Sequence, residues 1–424
     1  MKTICLNFNI HKPLLLKKYR FFDIGRDNFY FDDYATRADM ERNERDFLKP
    51  SLELLIALVR HHGSRFRFSL TVSGFALRLI EDCCPATLKL LQELADTGCV
   101  EFVGMPYNHS LSSICDDNEF VRQVLKHSGE IERLFGQKPT TFRNTELIYT
   151  DKVGCMVYDL GFKTVLVDGA GRSLDIKGPD FVYFNPEQPR LHILPRNESM
   201  SCMMEDALKD NKLFTPVYFA ERLYEIDEYD DMIYLGLNFE YLDSTRYHNN
   251  EVLLFIKNLS DKIVNSGVYV FQTPGETSLQ YQPVGPFKAV APLSGMNRYH
   301  DMTPWQGNEL QQEALRKVSS LQGAVRRAGS DVLADIWEKL QCSDYFYYMS
   351  TEYFNNPAYG YKPNPFKSPY EAFINYMNIL GDLERRVNEK IKENDADSMT
   401  DEQIMCIISH YEKEISLLTQ KLSK

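Results

Sequence analysis

The spacing of apolar and polar positions changes repeatedly along the chain before residue 275. Short runs that are apolar or strictly alternating predict strands, and the stretches between them, with an apolar residue at every third or fourth position, predict helices. The predicted strands are Ile4–Ile10, Phe66–Val72, Val100–Val103, Thr140–Arg143, Thr164–Val167, Leu191–Leu194, Met232–Phe239 and Val268–Gln272. Strands that alternate with helices pair in parallel, and seven or eight of them favour a closed barrel over an open sheet.

The helical runs divide the chain into two parts. A run over residues 41–61 lies between the first two predicted strands, and Pro50 inside it predicts a kink or a new helix start. After about residue 305 the pattern is helical only. The last run carries the apolar stripe Ile404, Ile408, Tyr411, Ile415 and Leu418. We therefore expect a barrel domain over residues 1–290 and a helical bundle over 291–424, packed on the barrel because each stripe needs an apolar partner.

Composition and charge restrict the class of protein and its partners. Of the 424 residues, 43% are hydrophobic and 25% are charged, as in an ordinary soluble globular protein. The net charge of −12 disfavours nucleic acid or an anionic membrane as partner and suits a neutral substrate. The first eleven residues alternate in polarity and lack the apolar core of a signal peptide, and no run is long enough to span a membrane. A cytoplasmic protein is the expectation.

The cysteine pattern predicts reduced thiols and no zinc site. Nine cysteines are spread along the chain, an odd number, with no Cys-x-x-Cys pair. There is also no Gly-x-Gly-x-x-Gly or phosphate-binding loop, so no nucleotide cofactor is expected. The sequence thus predicts neither a metal nor a cofactor.

Glu146 is the first candidate for a chemical role. It follows the β-prone segment Thr140–Phe142 and precedes a helix-like run that begins at Lys152. A carboxylate at the carboxyl end of a strand is where barrels and open α/β sheets place their catalytic groups. The structural alternative is a pair between Glu146 and Arg143 at the strand end.

Two histidines occupy similar positions. His11 comes directly after the first predicted strand, and His109 follows the strand Val100–Val103. Either could hydrogen-bond a sugar hydroxyl or a leaving group, and either could instead be satisfied by a backbone carbonyl.

The strand Met232–Phe239 ends near three further polar candidates. Asn238 and Glu240 share one face in an extended chain, and Asp243 lies just beyond them. A retaining glycosidase needs a second carboxyl group about 5–5.5 Å from its nucleophile. At this strand end the sequence offers an amide, flanked by two possible substitute carboxylates.

An aromatic-rich segment follows much later in the chain. It comprises Tyr345, Phe346, Tyr347, Tyr348, Tyr353, Phe354, Tyr359 and Tyr361. Aromatic faces stack on sugar rings and on one another. Core packing is favoured for the first four, whereas for Tyr359 and Tyr361 both interpretations stay open.

Taken together, these motifs resemble glycoside hydrolase family 57, specifically its α-amylase branch, over nearly the whole chain. The residues that carry the resemblance are His11-Lys12-Pro13 with Lys18–Gly25, Gly98–Phe102 with His109-Ser110-Leu111, Phe142–Tyr149, and Trp305-Gln306-Gly307-Asn308 with Asp301 upstream. The resemblance implies an incomplete, seven-fold (β/α) barrel followed by a helical region, retaining chemistry on α-glucans and no metal in the reaction. It also implies that Glu146 is the nucleophile.

Two positions depart from the family pattern. Where the family has an acid/base Asp followed by an aromatic residue and Glu, this chain has Asn238 before Phe239 and Glu240. The Trp-Ala-Asp that opens the family's fifth motif appears as Gly295-Met296-Asn297. An amide cannot protonate a glycosidic oxygen as a carboxylic acid does, so weak hydrolysis or none is expected.

Three hypotheses follow. The first is an α-amylase-like protein that acts on an α-1,4-glucan, with Glu146 as nucleophile, Glu240 or Asp243 as substitute acid, and the substrate held by His11, His109, Asp301 and Trp305. The second is a catalytically silent glucan-binding or regulatory protein with the same fold. The third, a metal-dependent deacetylase on a related barrel, is disfavoured because no His-x₃-His pair is present.

Overall fold

The computed structural model describes residues 2–174, 177–209, 214–226, 229–354, 364–397 and 401–422. Nine strands fall in the first 272 residues. They are β1 (Lys2–Ile10), β2 (Phe68–Val72), β3 (Val100–Val103), β4 (Thr141–Arg143), β5 (Thr164–Asp168), β6 (Tyr183–Phe184), β7 (His192–Arg196), β8 (Met232–Asn238) and β9 (Tyr269–Gln272). The eight predicted strands are all present, and the prediction missed only β6, which is two residues long.

Seven parallel strands form the barrel, in the order β3-β2-β1-β8-β7-β5-β4. β1 pairs with β8 along one edge, and its other edge pairs with β9 at residues 2–5 and with β2 at residues 7–10. β6 adds to β7 as an antiparallel ribbon. The expected seven-fold barrel is confirmed, with β9 wedged between β1 and β2 at the amino-terminal end.

The ring closes between β3 and β4 through a single residue. Gly104, just beyond β3, accepts a hydrogen bond from the Arg143 amide (2.9 Å) and donates its own amide to the Thr141 carbonyl (2.9 Å). A Cβ at position 104 would lie 2.6 Å from the ring of the buried Phe162. Glycine therefore permits the close approach that closes the barrel.

The barrel interior contains both apolar and polar side chains. One apolar cluster holds Cys5, Val103, Leu166, Leu194, Met232 and Tyr234, and beside it the buried Asn7 donates a hydrogen bond to Ser69. Register neighbours in a parallel sheet face the same side, so Arg143, aligned with Leu166, and Arg196, aligned with Tyr234, also point inward. Polar side chains therefore occupy the carboxyl end of the interior.

Helices surround the barrel and then continue alone. Those within the barrel region are α1 (Asp33–Asn43), α2 (Lys49–His62), α3 (Gly74–Cys83), α4 (Pro85–Asp96), α5 (Ser112–Cys115), α6 (Asp117–Phe135), α7 (Asp151–Asp159), α8 (Glu198–Lys209), α9 (Pro216–Tyr224), α10 (Ser244–Tyr247), α11 (Val252–Ser266) and α12 (Pro274–Gln280). The later helices are α13 (Thr303–Gln306), α14 (Glu309–Ser320), α15 (Gln322–Ala328), α16 (Asp331–Lys339), α17 (Ser343–Tyr347), α18 (Pro369–Asp397) and α19 (Asp401–Leu422). A π-helical turn at residues 44–48 joins α1 to α2, and Pro50 lies in the first turn of α2, as a new helix start requires.

The helical region up to residue 397 shares a core with the barrel. One hydrophobic cluster combines Tyr19, Tyr30 and Ile148 with side chains of α14 to α18. The loop after β1 is anchored to α18, because Asp382 accepts hydrogen bonds from the Tyr30 hydroxyl and the Gly25 amide. The core is therefore continuous across the expected boundary at residue 290.

The last helix departs from the expected packing. In α19, the stripe residues Ile408, Tyr411, Ile415 and Leu418 are 44–62% exposed. Their apolar face therefore does not pack on the barrel. In the described part of the chain, no helix combines the length and the apolarity needed to cross a membrane.

We predict that Gly104→Ala destabilises the fold by about 1–3 kcal/mol, because the added methyl group would overpack against Phe162 at the closure. Gly129→Ala is the matched control, since no atom lies within 4 Å of the added Cβ in the exposed middle of α6, and there alanine should stabilise by about 0.5–1 kcal/mol. Urea unfolding measures both. Equal free energies of unfolding for the two variants would contradict the role of Gly104.

Candidate functional site

One cavity of about 1150 Å³ opens at the carboxyl ends of the barrel strands. His11 lies after β1, His109 after β3, Glu146 after β4 and Asn238 at the end of β8, and all four side chains line it. They are far apart in sequence and meet because parallel strands bring their carboxyl ends to one edge. The structure thus brings these four predicted residues together.

Glu146 sits on a short helical turn in an uncommon backbone conformation. Its φ is 51° and that of Leu147 is 56°, both in the left-handed region that side chains other than glycine rarely adopt. The turn is held because the Glu146 carbonyl accepts a hydrogen bond from the Ser294 hydroxyl (2.9 Å). Such conformations cost about 1–3 kcal/mol and concentrate at functional sites. The Glu146 side chain is 92% buried and reaches the cavity wall.

The two histidines are stacked on each other beside Asp344. Their ring centroids are 3.8 Å apart and the planes differ by 13°. His11 Nε2 lies 2.9 Å from Asp344 Oδ2, and its Nδ1 hydrogen-bonds the Ser73 hydroxyl at 2.8 Å. His109 Nδ1 hydrogen-bonds the Ser343 hydroxyl at 3.0 Å. Both rings are therefore fixed by side chains rather than by the backbone carbonyls that the alternative interpretation assumed.

His109 also connects this group to the candidate nucleophile. Its Nε2 lies 3.9 Å from Glu146 Oε1. Like Glu146, it has a left-handed backbone, with φ at 50°. Asp344, which the sequence analysis missed, begins α17 in the helical region, directly before the aromatic segment. The helical region thus supplies one wall of the site.

The donor atoms of His11, His109, Cys342 and Asp344 lie within 4.8 Å of one another, which raises the question of a metal. In a tetrahedral zinc site the ligand atoms are roughly 3.3–3.8 Å apart and each imidazole must point its lone pair at the ion in the plane of its ring. The Cys342 Sγ to Asp344 Oδ2 distance of 3.3 Å suits this, but two nearly parallel rings 3.8 Å apart cannot both aim at one ion. The donor types fit zinc, whereas the ring orientations do not.

The candidates around Asn238 differ in placement. Asn238 Oδ1 accepts a hydrogen bond from Asn9 Nδ2 at 3.0 Å, and its side chain lines the cavity. Glu240 also lines the cavity but pairs with Arg246 at 2.9 Å. Asp243 caps α10 by accepting the amides of Thr245 and Arg246 and is not among the lining residues. As a substitute acid, Asp243 is therefore misplaced.

Trp305 and Asp301 do not lie where they were expected. Trp305 is fully buried in the core of the helical region, so the prediction that it lines the cleft is wrong. Asp301 accepts hydrogen bonds from Asn297 and the Thr303 amide, and these bonds lower its pKa although burial opposes the change. It orders the start of α13 away from the cavity wall. Both errors arise because a motif match places residues near a site without saying which way their side chains point.

The described residues of the aromatic segment mostly pack in the core, and one of them also lines the cavity. Tyr345 to Tyr348 are buried, as core packing predicts, and only Tyr348 among them lines the cavity. Tyr359 and Tyr361 lie outside the described residues.

Several charged residues of the cavity wall were not proposed as site residues from the sequence, and three of them are largely buried. Arg143 and Arg196 come from the ends of β4 and β7 and are 94% and 93% buried. Arg143 makes no ion pair with Glu146, contrary to the structural alternative considered for that carboxylate, and its Nε and Nη1 complete no hydrogen bond. Glu205, on α8, has a pKa raised by burial. No sequence motif marks Arg196 or Glu205, because both face the cavity only through the fold.

The fold and cavity define a parallel α/β-barrel protein whose site is built from loops at the carboxyl rim and one wall from the helical region. The sequence profile described as glycosyl hydrolase family 57 matches residues 5–288. The chain therefore belongs to glycosyl hydrolase family 57.

Individual relatives agree with this assignment. The chain is 24% identical over 415 residues to a Methanocaldococcus jannaschii protein named "Putative alpha-amylase", covering 93% of this chain and 86% of that protein. Among solved structures it is similar to the branching enzyme from Pyrococcus horikoshii (TM-score 0.63, 12% identity, 92% and 94% of the two chains). It is also similar to the alpha-amylase AmyC from Thermotoga maritima (TM-score 0.60, 10% identity, 95% of each chain).

The match to the 4-alpha-glucanotransferase from Thermococcus litoralis has a TM-score of 0.61 at 14% identity and covers 81% of this chain. The chain spans 56% of that longer protein. At these identities the solved structures establish the shared fold.

We predict that the purified protein does not retain zinc at the cluster of His11, His109, Cys342 and Asp344, because the stacked rings cannot both coordinate one ion. Metal analysis after loading with zinc and dialysis should find well under one ion per chain, and a chelator should leave the melting temperature unchanged. One zinc per chain that survives dialysis in wild type and disappears in Cys342→Ser would contradict this.

Proposed function

We propose that this protein binds an α-1,4-glucan in the cavity at the carboxyl rim of the barrel, with Glu146 in the position of the nucleophile. The observation that carries the proposal is the meeting of His11, His109, Glu146 and Asn238 from four separate strand ends around one cavity. The family assignment and relatives named as alpha-amylase, branching enzyme and glucanotransferase support a glucan as the ligand.

In a retaining reaction the Glu146 carboxylate attacks the anomeric carbon while an acid protonates the departing glycosidic oxygen. Water, activated by the same acid/base group, then releases the sugar from Glu146. His11 and His109, fixed by Ser73, Ser343 and Asp344, would hold the hydroxyl groups of the reacting sugar. A sugar held by rigid groups is oriented at little entropic cost.

This chain lacks a proton donor at position 238, where the family resemblance places the acid/base group. Asn238 carries an amide, which has no acidic proton, and Asp243 faces elsewhere. Glu240 is held by an ion pair with Arg246 at 2.9 Å. Glu205 has the raised pKa that a general acid needs, owing to burial, and it lines the same cavity. General acid/base assistance is worth about 10²–10⁴ in rate, so turnover without a replacement should be slow by that factor.

The same amide supports the second candidate function, a glucan-binding or regulatory protein without turnover. Asn238 keeps the size of an aspartate and hydrogen-bonds Asn9 at the cavity wall, so the pocket remains built while the acid is missing. This candidate would show binding of a maltooligosaccharide by calorimetry and no product after long incubation.

We predict that Asn238→Asp raises the release of reducing ends from maltoheptaose by about 10²–10⁴ over wild type, because it restores a carboxyl group at the acid/base position. Glu146→Gln should abolish the release in both the wild-type and the Asn238→Asp background. Asn250→Asp, at an exposed position beyond α10, is the matched control and should leave the rate unchanged.

Circular dichroism should show the same fold for all variants. No gain from Asn238→Asp would show that the acid/base position is wrongly assigned. A loss of wild-type activity in Glu205→Gln with no such loss in Glu240→Gln would identify Glu205 as the substitute acid. Absence of both glucan binding and product in wild type would refute the two proposed functions together.

A further inference from the structure

A buried cation without a counterion lies at the floor of the cavity. Arg143 points into the barrel from the end of β4 and is 94% buried. Among the described residues it forms no ion pair, and neither Nε nor Nη1 completes a hydrogen bond. Burying an unpaired charge is costly, and removal of its partner from a buried ion pair typically destabilises by several kcal/mol. An arginine in this state can serve as a binding group for an anion that enters the cavity.

A second arginine lies close to the first. Arg196 points inward from β7, and its Nε donates to Asp168 at 3.0 Å. Both arginines act on Tyr234: burial raises the pKa of its hydroxyl to about 12, and the charges of Arg143 and Arg196 oppose that rise. The carboxylate of Asp168 also hydrogen-bonds His300, so it is shared between two partners. Arg196 also lies 4.0 Å from Glu205. Of the two cations near the Tyr234 hydroxyl, Arg143 is therefore the one that no described carboxylate pairs with.

The absence of a side chain at Gly236 leaves the space beside Arg196 and Tyr234 open toward the cavity. Gly236, two residues beyond Tyr234 on β8, lines the cavity. A Cβ at this position would lie 2.9 Å from the Tyr234 hydroxyl and 3.2 Å from the Arg196 side chain. Any other residue would fill the space beside these groups. The Tyr234 hydroxyl is fully buried behind Gly236, close to the Arg143 guanidinium and away from the cavity surface.

We infer that the floor of the cavity is an anion subsite, formed by Arg143 and Arg196 beside Gly236, and that it binds a carboxylate or phosphate group carried by the sugar ligand. Arginine suits both groups, because its planar fork donates two parallel hydrogen bonds to their oxygens. That the ligand is a sugar rests on the proposed function. That it carries an anionic group rests only on the residues at the cavity floor. The preferred ligand is then an anionic sugar rather than a neutral glucan.

The alternative role for Arg143 is structural or indirect, with its charge stabilising the fold or the ionised Glu146. The two roles predict opposite effects on stability. If the subsite is empty without ligand, replacing Arg143 by methionine removes an uncompensated buried charge and should keep or raise the melting temperature. If the guanidinium supports the fold, the same change should lower it.

The test compares the binding of glucose, glucose 6-phosphate, glucuronate, inorganic phosphate and maltoheptaose by calorimetry. Wild type should bind one of the two anionic sugars at least about tenfold more tightly than glucose, as charge-assisted hydrogen bonds allow. Arg143→Met should abolish this preference, and Arg143→Lys, which keeps the charge without the fork, should retain part of it. Arg60→Met, at an exposed arginine paired with Glu93, is the matched control and should retain all of it.

The ligands separate the sources of the anion. A preference for glucose 6-phosphate alone assigns a phosphate and one for glucuronate alone assigns a carboxylate, and both support the subsite. Inorganic phosphate bound as tightly as the sugar phosphate, no preference for anionic sugars, or a lower melting temperature for Arg143→Met would each overturn the inference. If wild type and Arg143→Met bind maltoheptaose equally, the proposed function stands whatever happens to the anion subsite. If wild type prefers anionic sugars but does not bind maltoheptaose, the proposed function is overturned and the anion subsite stands.

Discussion

The whole site depends on the closure of the barrel at one glycine. Two backbone hydrogen bonds through Gly104 join β3 to β4, and elsewhere in the ring neighbouring strands share longer ladders, apart from the short contact between β7 and β8. His109 follows the closure by five residues and Glu146 follows Arg143 by three. The left-handed backbones of His109 and Glu146 aim both side chains into the cavity directly after this junction. Any loosening of the closure would separate the two side chains, which lie 3.9 Å apart.

The helical region completes the site rather than merely covering the barrel. Asp344 and Ser343 at the start of α17 fix the two histidine rings, and those rings come from loops after β1 and β3. Asp382 on α18 holds the long loop after β1 from the other side. A barrel cut at residue 290 would lose these contacts and expose the shared core around Tyr19 and Tyr30. The site therefore belongs to both regions together.

The strands could be predicted because each is a short apolar run between helices, a local property of the sequence. The convergence of His11, His109, Glu146 and Asn238 followed from one rule about parallel strands. Asp344 could not be found in this way, because it reaches the site from a helix some 200 residues beyond Glu146. Trp305 was misplaced for the opposite reason, since an aromatic residue beside a motif packed into the helical core. The exposed stripe of α19 shows that an amphipathic pattern predicts a helix without specifying what covers it.

Two residues of the cavity have a common electrostatic effect. Asn238 places an uncharged amide at the end of β8, and Arg143 adds a buried positive charge that forms no ion pair with a described residue. Glu240 and Asp39 on the same wall are paired with Arg246 and Lys12, and Glu205 lies 4.0 Å from Arg196. At short range in a low-dielectric cavity these local charges outweigh the screened net charge of −12. An acidic protein can thus keep a buried arginine beside its cavity, and overall charge alone is a poor guide to what this cavity binds.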